Sequence, residues 1–83
     1  MEIKVFGMEN CAGCVTVKEV LKAKGVSFVE RDVMNPDHMS EASKLGIRGV
    51  PTTVVYDNNG VVRLKAVGST SEGITKLLEM IGV

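Results

Sequence analysis

Between Glu2 and Val33 the hydrophobic pattern changes period twice, and this limits the chain to very few folds. Ile3 and Val5 alternate with Glu2 and Lys4, and Phe6 adds bulk. That is the pattern of a short strand ending at Gly7. After a loop at Met8-Glu9-Asn10, the residues Cys14, Val17, Val20 and Leu21 fall at i, i+3, i+6 and i+7, one stripe of a helix. Gly25 followed by Val26 predicts its end, a C-cap with apolar closure. From Val26 to Val33 the chain reads as a strand again. Val26 and Phe28 share one face and Val29 and Val33 the other, which suits a strand covered on both sides. Strand, helix and strand with joints this tight predict two parallel strands joined by a right-handed crossover.

The rest of the chain extends this unit. Asn35-Pro36 predicts a helix start, Asn as N-cap and Pro as first residue, with Asp37 favouring the positive helix end. Met39, Ala42 and Leu45 form its apolar stripe, and Gly46-Ile47 closes it. Thr52 to Tyr56 is a strongly β-forming run, with Tyr56 as a packing residue. Asp57-Asn58-Asn59-Gly60 predicts a hairpin turn. Beyond it Val62, Leu64 and Ala66 point one way while Arg63 and Lys65 point to solvent, as on an edge strand. Ser69 and Glu72 fit a capping box. Ile74, Leu77, Leu78 and Ile81 then form a clean amphipathic helix. The order is β-α-β-α-β-β-α in a single domain over residues 1–83, without repeats, linkers or low-complexity stretches.

The only two cysteines, Cys11 and Cys14, sit at the first strand-to-helix joint. Ten basic and ten acidic residues balance, which argues against a nucleic-acid or anionic-membrane surface. With no signal-like start and no apolar run near ~20 residues, the chain is expected to be cytoplasmic, and its size and neutral charge fit a monomer. Thiols in that compartment stay reduced, so the pair points to redox or metal chemistry more than to a structural staple. Two cysteines are too few for tetrahedral zinc within one chain, and the lone imidazole, His38, reads as a solvent-facing residue. Cys11, at a helix N-terminus, is expected to be the nucleophile, because free N–H groups and the helix dipole favour a negative sulfur. Cys14 lies on the buried stripe and would be the resolving thiol. Gly13 is expected to loosen the turn between them.

Other residues modulate this reading. Glu9 opposes a Cys11 thiolate, and Arg48 would compensate across the fold. Met8 is expected to be exposed and to touch substrates. Met39 and Met80 read as core or groove filler, and Lys18, Lys22, Lys24, Arg63 and Lys65 as solvated faces. Ser69-Thr70-Ser71 at a helix start is either an N-cap or a carboxylate site. Residue statistics alone favour a trans Pro51.

This order, with C-x-x-C at the first joint, resembles the minimal thioredoxin fold of the glutaredoxins. Gly49-Val50-Pro51 resembles that family's T-V-P segment, and Gly68-Ser69-Thr70-Ser71-Glu72 its G-G-x-[ST]-D segment. The resemblance covers essentially the whole chain. It implies an α/β domain with a four-stranded mixed sheet flanked by three helices, and a cis Pro51 beside the disulfide. It implies a dithiol oxidoreductase with no bound cofactor or metal, reducing protein disulfides or glutathione mixed disulfides, with glutathione as co-substrate. Substrate or glutathione would then meet Met8, Arg48, Gly49, Val50, Pro51, Gly68, Ser69, Thr70, Ser71 and Glu72, pairing with the Val50 backbone. The chain departs from the family at Ala12-Gly13, where C-P-Y-C is usual, and at Met8, where many members carry Lys or Arg. Ser69 replaces a Gly and Glu72 an Asp. Three alternatives stay open: a redoxin served by thioredoxin reductase that donates electrons to ribonucleotide reductase, a zinc or glutathione-assisted iron–sulfur module, and a structural domain with an inert disulfide.

Overall fold

A computed structural model describes residues 1–83. The elements follow the expected order: β1 (Glu2–Gly7), α1 (Ala12–Ala23), β2 (Val29–Asp32), α2 (Pro36–Lys44), β3 (Thr52–Tyr56), β4 (Val62–Val67) and α3 (Ser71–Ile81). The strands make one mixed sheet in the order β2-β1-β3-β4. β1 is parallel to β2 and antiparallel to β3, and β4 is antiparallel to β3. This is the minimal thioredoxin fold. No helix is long and apolar enough to cross a membrane.

Strand alternation sorts the apolar side chains onto two faces. Ile3, Val5 and Val55 pack with Val17 and Leu21 of α1 and Leu77 of α3, and Ile74, Leu78 and Ile81 extend this larger core. Phe6 and Val54 face the other way, toward Ala42 of α2. Burying a side chain such as Phe6 or Leu21 stabilises the fold by about 1.5–3 kcal/mol. Gly25 and Gly46 take left-handed φ values of 70° and 71° and end α1 and α2 as expected. In each case the following apolar residue bonds back into the helix, Val26 N–H to the Leu21 carbonyl and Ile47 N–H to that of Ala42, both at 2.9 Å.

That closure shortens the second strand. The Val26 N–H is already used by α1, so β2 begins only at Val29 and forms one edge of the sheet. Val26 and Phe28 still pack on the larger core and Val33 on the smaller one, from the flanking turns. β4 departs in another way. Val55 pairs with Leu64 but Tyr56 pairs with Val62, so Arg63 is the extra residue of a bulge. Leu64 and Ala66 stay on the larger core, whereas Val62 is flipped to the smaller one; simple alternation cannot reveal such an insertion.

The helix starts follow the expected caps only in part. Asn35 caps α2, its side chain accepting from Asp37 N–H at 3.0 Å. The Ser69–Glu72 box does not form, because Thr70 caps α3 by accepting from Gly73 N–H at 3.1 Å. Met39 and Met80 are exposed, at 50% and 41%, and not in the core; Met39 lines a surface groove, the other half of its expectation. His38 is half-buried with its Nδ1 inside, not solvent-facing. Lys18 and Lys65 are not merely solvated: Lys18 pairs with Glu30, and Lys65 donates to the Leu45 carbonyl at 3.0 Å.

One polar contact ties α2 to the sheet. Glu41 accepts from Lys4 of β1 and from Arg31 of β2, while Lys4 lies 5.2 Å from the centre of the Tyr56 ring. The hydrogen bond from Lys4, with help from Arg31 and against partial burial, holds the Glu41 carboxyl below its usual range. A carboxyl with a depressed folded-state pKa stabilises the fold above its unfolded value, and that contribution is lost as pH falls through the folded value. Glu41→Gln is therefore expected to cost about 1 kcal/mol near neutral pH. Urea unfolding should show the gap narrowing as pH falls below the unfolded carboxyl value of ~4.3.

Candidate functional site

The reactive end is built by a sharp turn after β1. Asn10 sits in the left-handed region at φ 57°, a conformation Asn tolerates better than most residues. The turn delivers Cys11 to the N-cap of α1 with extended backbone, and its Sγ accepts the Cys14 N–H at 3.1 Å. No acidic residue lies in the first turn of α1. Cys11 therefore faces the positive end of the helix, which favours a thiolate, while Glu9 and Asp32 line the same cleft. Cys14 follows one turn later on the stripe of Val17 and Leu21. It is only 2% exposed, while Cys11 is partly open to solvent. The two sulfurs are bonded, with Cα atoms 5.3 Å apart.

Gly13 is the point of closest approach. A Cβ there would lie 2.9 Å from Ser69 Oγ and 3.2 Å from Pro51 Cδ. Its role is thus to let α1 meet the Pro51 loop and the 68–70 segment, rather than to loosen the turn. Gly7 does the same behind the pair, where a Cβ would lie 3.0 Å from Cys14 Sγ. The Val50–Pro51 peptide is cis, as the family resemblance implied. Pro51 is held by its carbonyl, which accepts the Gly68 N–H at 2.7 Å, and by Thr52, whose hydroxyl donates to the Gly49 carbonyl at 2.7 Å.

Two grooves flank this junction. One, of about 720 Å³, contains Cys11, Cys14, Met8, Glu9 and Asp32. The other, of about 360 Å³, contains Met8, Met39, Ile47, Arg48, Gly49 and Val50. Met8, 40% exposed, is the ridge between them. Arg48 lies in the second groove and does not line the cleft of Cys11.

The residues singled out from the sequence thus fall into three groups. Pro51, Gly68 and Ser69 meet at the cysteine pair through Gly13. Met8, Arg48, Gly49 and Val50 shape the second groove. Thr70, Ser71 and Glu72 belong to the start of α3: Thr70 is the cap, the Ser71 carbonyl accepts from the Thr75 hydroxyl, and Glu72 pairs with Lys76 at 3.5 Å. Asp32 was not anticipated, although β-pairing places it opposite Gly7 and so beside the cysteine loop. No set of three His, Cys, Asp or Glu side chains converges to hold a metal ion.

Residues 3–61 match the glutaredoxin family. The chain is 32% identical over 79 residues to a probable thioredoxin of Archaeoglobus fulgidus, covering 90% of this chain and 87% of that protein. Its structure is similar to that of the thioredoxin-like protein BC3987, with a TM-score of 0.69 and 29% identity over 93% of this chain and 100% of the other. The glutaredoxin-like NrdH-redoxin of Escherichia coli shares the fold at a TM-score of 0.70 and 23% identity, over 93% of this chain and 95% of its own. A C-x-x-C pair on this scaffold makes the chain a thiol–disulfide oxidoreductase of the thioredoxin fold. Within that class, it belongs to the glutaredoxin family.

The Gly13 contact gives a direct test. Gly13→Ala should lower stability in spite of alanine's better helix propensity, because Pro51 Cδ is part of a ring and cannot rotate away. Ser69→Gly should recover part of the loss, since it removes the nearer atom. A double-mutant cycle read by urea unfolding should show coupling of about 1 kcal/mol. Additive effects would mean that the two residues do not press on each other.

Proposed function

We propose that the protein reduces disulfides of other proteins, with Cys11 as the attacking thiolate and Cys14 as the resolving thiol. The observation that carries this reading is the asymmetry of the pair: a partly exposed cysteine whose sulfur receives a helix N–H, followed one turn later by a buried one. In the reaction, the Cys11 thiolate attacks one sulfur of the substrate disulfide, and the other sulfur leaves as a thiolate. Cys14, losing its proton, then attacks Cys11 Sγ. The second substrate sulfur departs, leaving a reduced substrate and an oxidised Cys11–Cys14 pair. The cis-Pro51 loop offers the Val50 backbone as an edge for a bound peptide. The pair would need an electron source to return it to the dithiol form, which the cytosol supplies.

Two electron sources are compatible with the site, and different residues favour each. Glutathione is favoured by Arg48, the cation of the second groove, which lies beside Val50, and by the exposed residues at the start of α3. A flavin-dependent thioredoxin reductase, with ribonucleotide reductase among the acceptors, is favoured by Met8. That exposed apolar ridge stands where many relatives place a cation, and it suits contact with a protein surface better than with a small anion. Parallel turnover assays with glutathione plus glutathione reductase and with thioredoxin reductase separate the two. We expect faster turnover with the protein reductase, and a clear excess with glutathione would reverse that order.

The assigned roles also make a prediction. Cys11→Ser should abolish disulfide reduction, and Cys14→Ser should accumulate mixed disulfides at Cys11. In the Cys14→Ser protein, thiolate absorbance should titrate below the free-cysteine value of ~8.5. A midpoint at or above that value would contradict an activated Cys11.

A further inference from the structure

We infer that the cleft beside the cysteine pair selects disulfides flanked by positive charge, through the carboxylates of Glu9 and Asp32. The inference rests on the reading of Cys11 as the attacking sulfur and narrows the substrate class for that same site. Three carboxylates and two cations line the cleft: Glu9, Glu30 and Asp32 against Lys18 and Arg31. Both cations are already paired. Lys18 Nζ is 2.7 Å from Glu30. Arg31 donates to Glu41 of α2 at 3.1 Å.

Glu9 and Asp32 have no ion-pair partner among the salt bridges of the molecule. Both are solvent-exposed, and both sit at the cysteine end of the cleft. Glu9 is in the turn that delivers Cys11, and Asp32 ends β2 opposite Gly7. The Met34 N–H donates to Asp32 Oδ1 at 2.9 Å, which fixes the carboxylate without neutralising it. These groups do not constitute a separate site. They line the reaction cleft and bear on which disulfide reacts there. A lysine or arginine next to the target cysteine would be attracted to them, and it would offset the repulsion between Glu9 and a Cys11 thiolate as the sulfurs approach. An anionic disulfide meets the opposite field.

A set of small disulfides of similar size isolates the charge: cystamine (cationic), hydroxyethyl disulfide (neutral) and dithiodiglycolate (anionic). The full-length protein is pre-reduced, mixed with each one, acid-quenched and read by mass spectrometry for loss of the dithiol form. Each rate is divided by that of the same disulfide with dithiothreitol, which removes differences between the leaving thiols. At low salt we expect cystamine to lead the neutral disulfide by about 5-fold and dithiodiglycolate to trail it by about 5-fold. Combining Glu9→Gln with Asp32→Asn should compress the three to within about 2-fold of one another. So should about 1 M salt acting on the unaltered protein, where screening acts within ~3 Å. Because the comparison is a ratio, a general change in Cys11 reactivity cancels. A normalised cystamine rate no higher than the neutral one, or a spread unchanged in the double variant, overturns charge selection and leaves the oxidoreductase reading standing. If none of the disulfides oxidises the reduced protein, that reading falls and the inference falls with it.

Discussion

The reactive end depends on how closely α1 approaches the loop that ends at Pro51. Gly13 makes this possible, because any side chain there would meet Ser69 and the Pro51 ring. With the helix drawn in, Cys14 is pressed against Gly7 and the sheet, and Cys11 is left at the rim. A glycine inside a helix costs up to ~1 kcal/mol relative to alanine, and here that cost is tied to the geometry of the site. The asymmetry between the two cysteines is therefore a packing result before it is an electronic one.

The three helix starts make a related point. Asn35 and Thr70 cap α2 and α3 with oxygen, but α1 begins on sulfur. A neutral thiol or a disulfide sulfur is a weak acceptor, so α1 forgoes part of the ~0.5–2 kcal/mol that a good cap contributes. Val17 and Leu21, buried beneath it, hold the helix in place instead. A weak cap becomes a strong one when its acceptor gains a charge, and so an ionised Cys11 is the state this helix start suits best. The reactivity at one end of α1 relies on the apolar contacts along its length.

Much of this was legible in the sequence. The elements were disclosed by changes of period, a β-forming run and an apolar stripe on each helix, with a glycine stop after α1 and α2. The site was legible where chemistry is local, as at Cys11 and Cys14. What escaped notice depends on contacts between distant segments or on small shifts of register. β2 lost its first residues to the closure of α1 at Val26, the bulge at Arg63 flipped Val62, and the cap of α3 moved one residue to Thr70. Asp32 joined the site only through its pairing with Gly7, which alternation within one strand cannot show. The cis state of Pro51 was legible by resemblance to a family, not from the residues alone. The proximity of Ser69 to Gly13 spans more than fifty positions and leaves no local trace.

The strand order places the first-made strand in the middle of the sheet. β1 needs β2 on one side and β3 on the other, and β3 lies some fifty residues downstream. A chain emerging from its N-terminus can assemble the β1-α1-β2 unit early, but one edge of β1 then stays open. That edge belongs to the strand that carries Ile3, Val5 and Phe6. Such pairing across long stretches of chain slows folding and leaves unpaired edges prone to association. The cysteine loop hangs directly from β1, so the reactive end acquires its final surroundings only when the last third of the chain is in place. Fragments of this domain that stop before β3 would carry both cysteines without the walls that tell them apart.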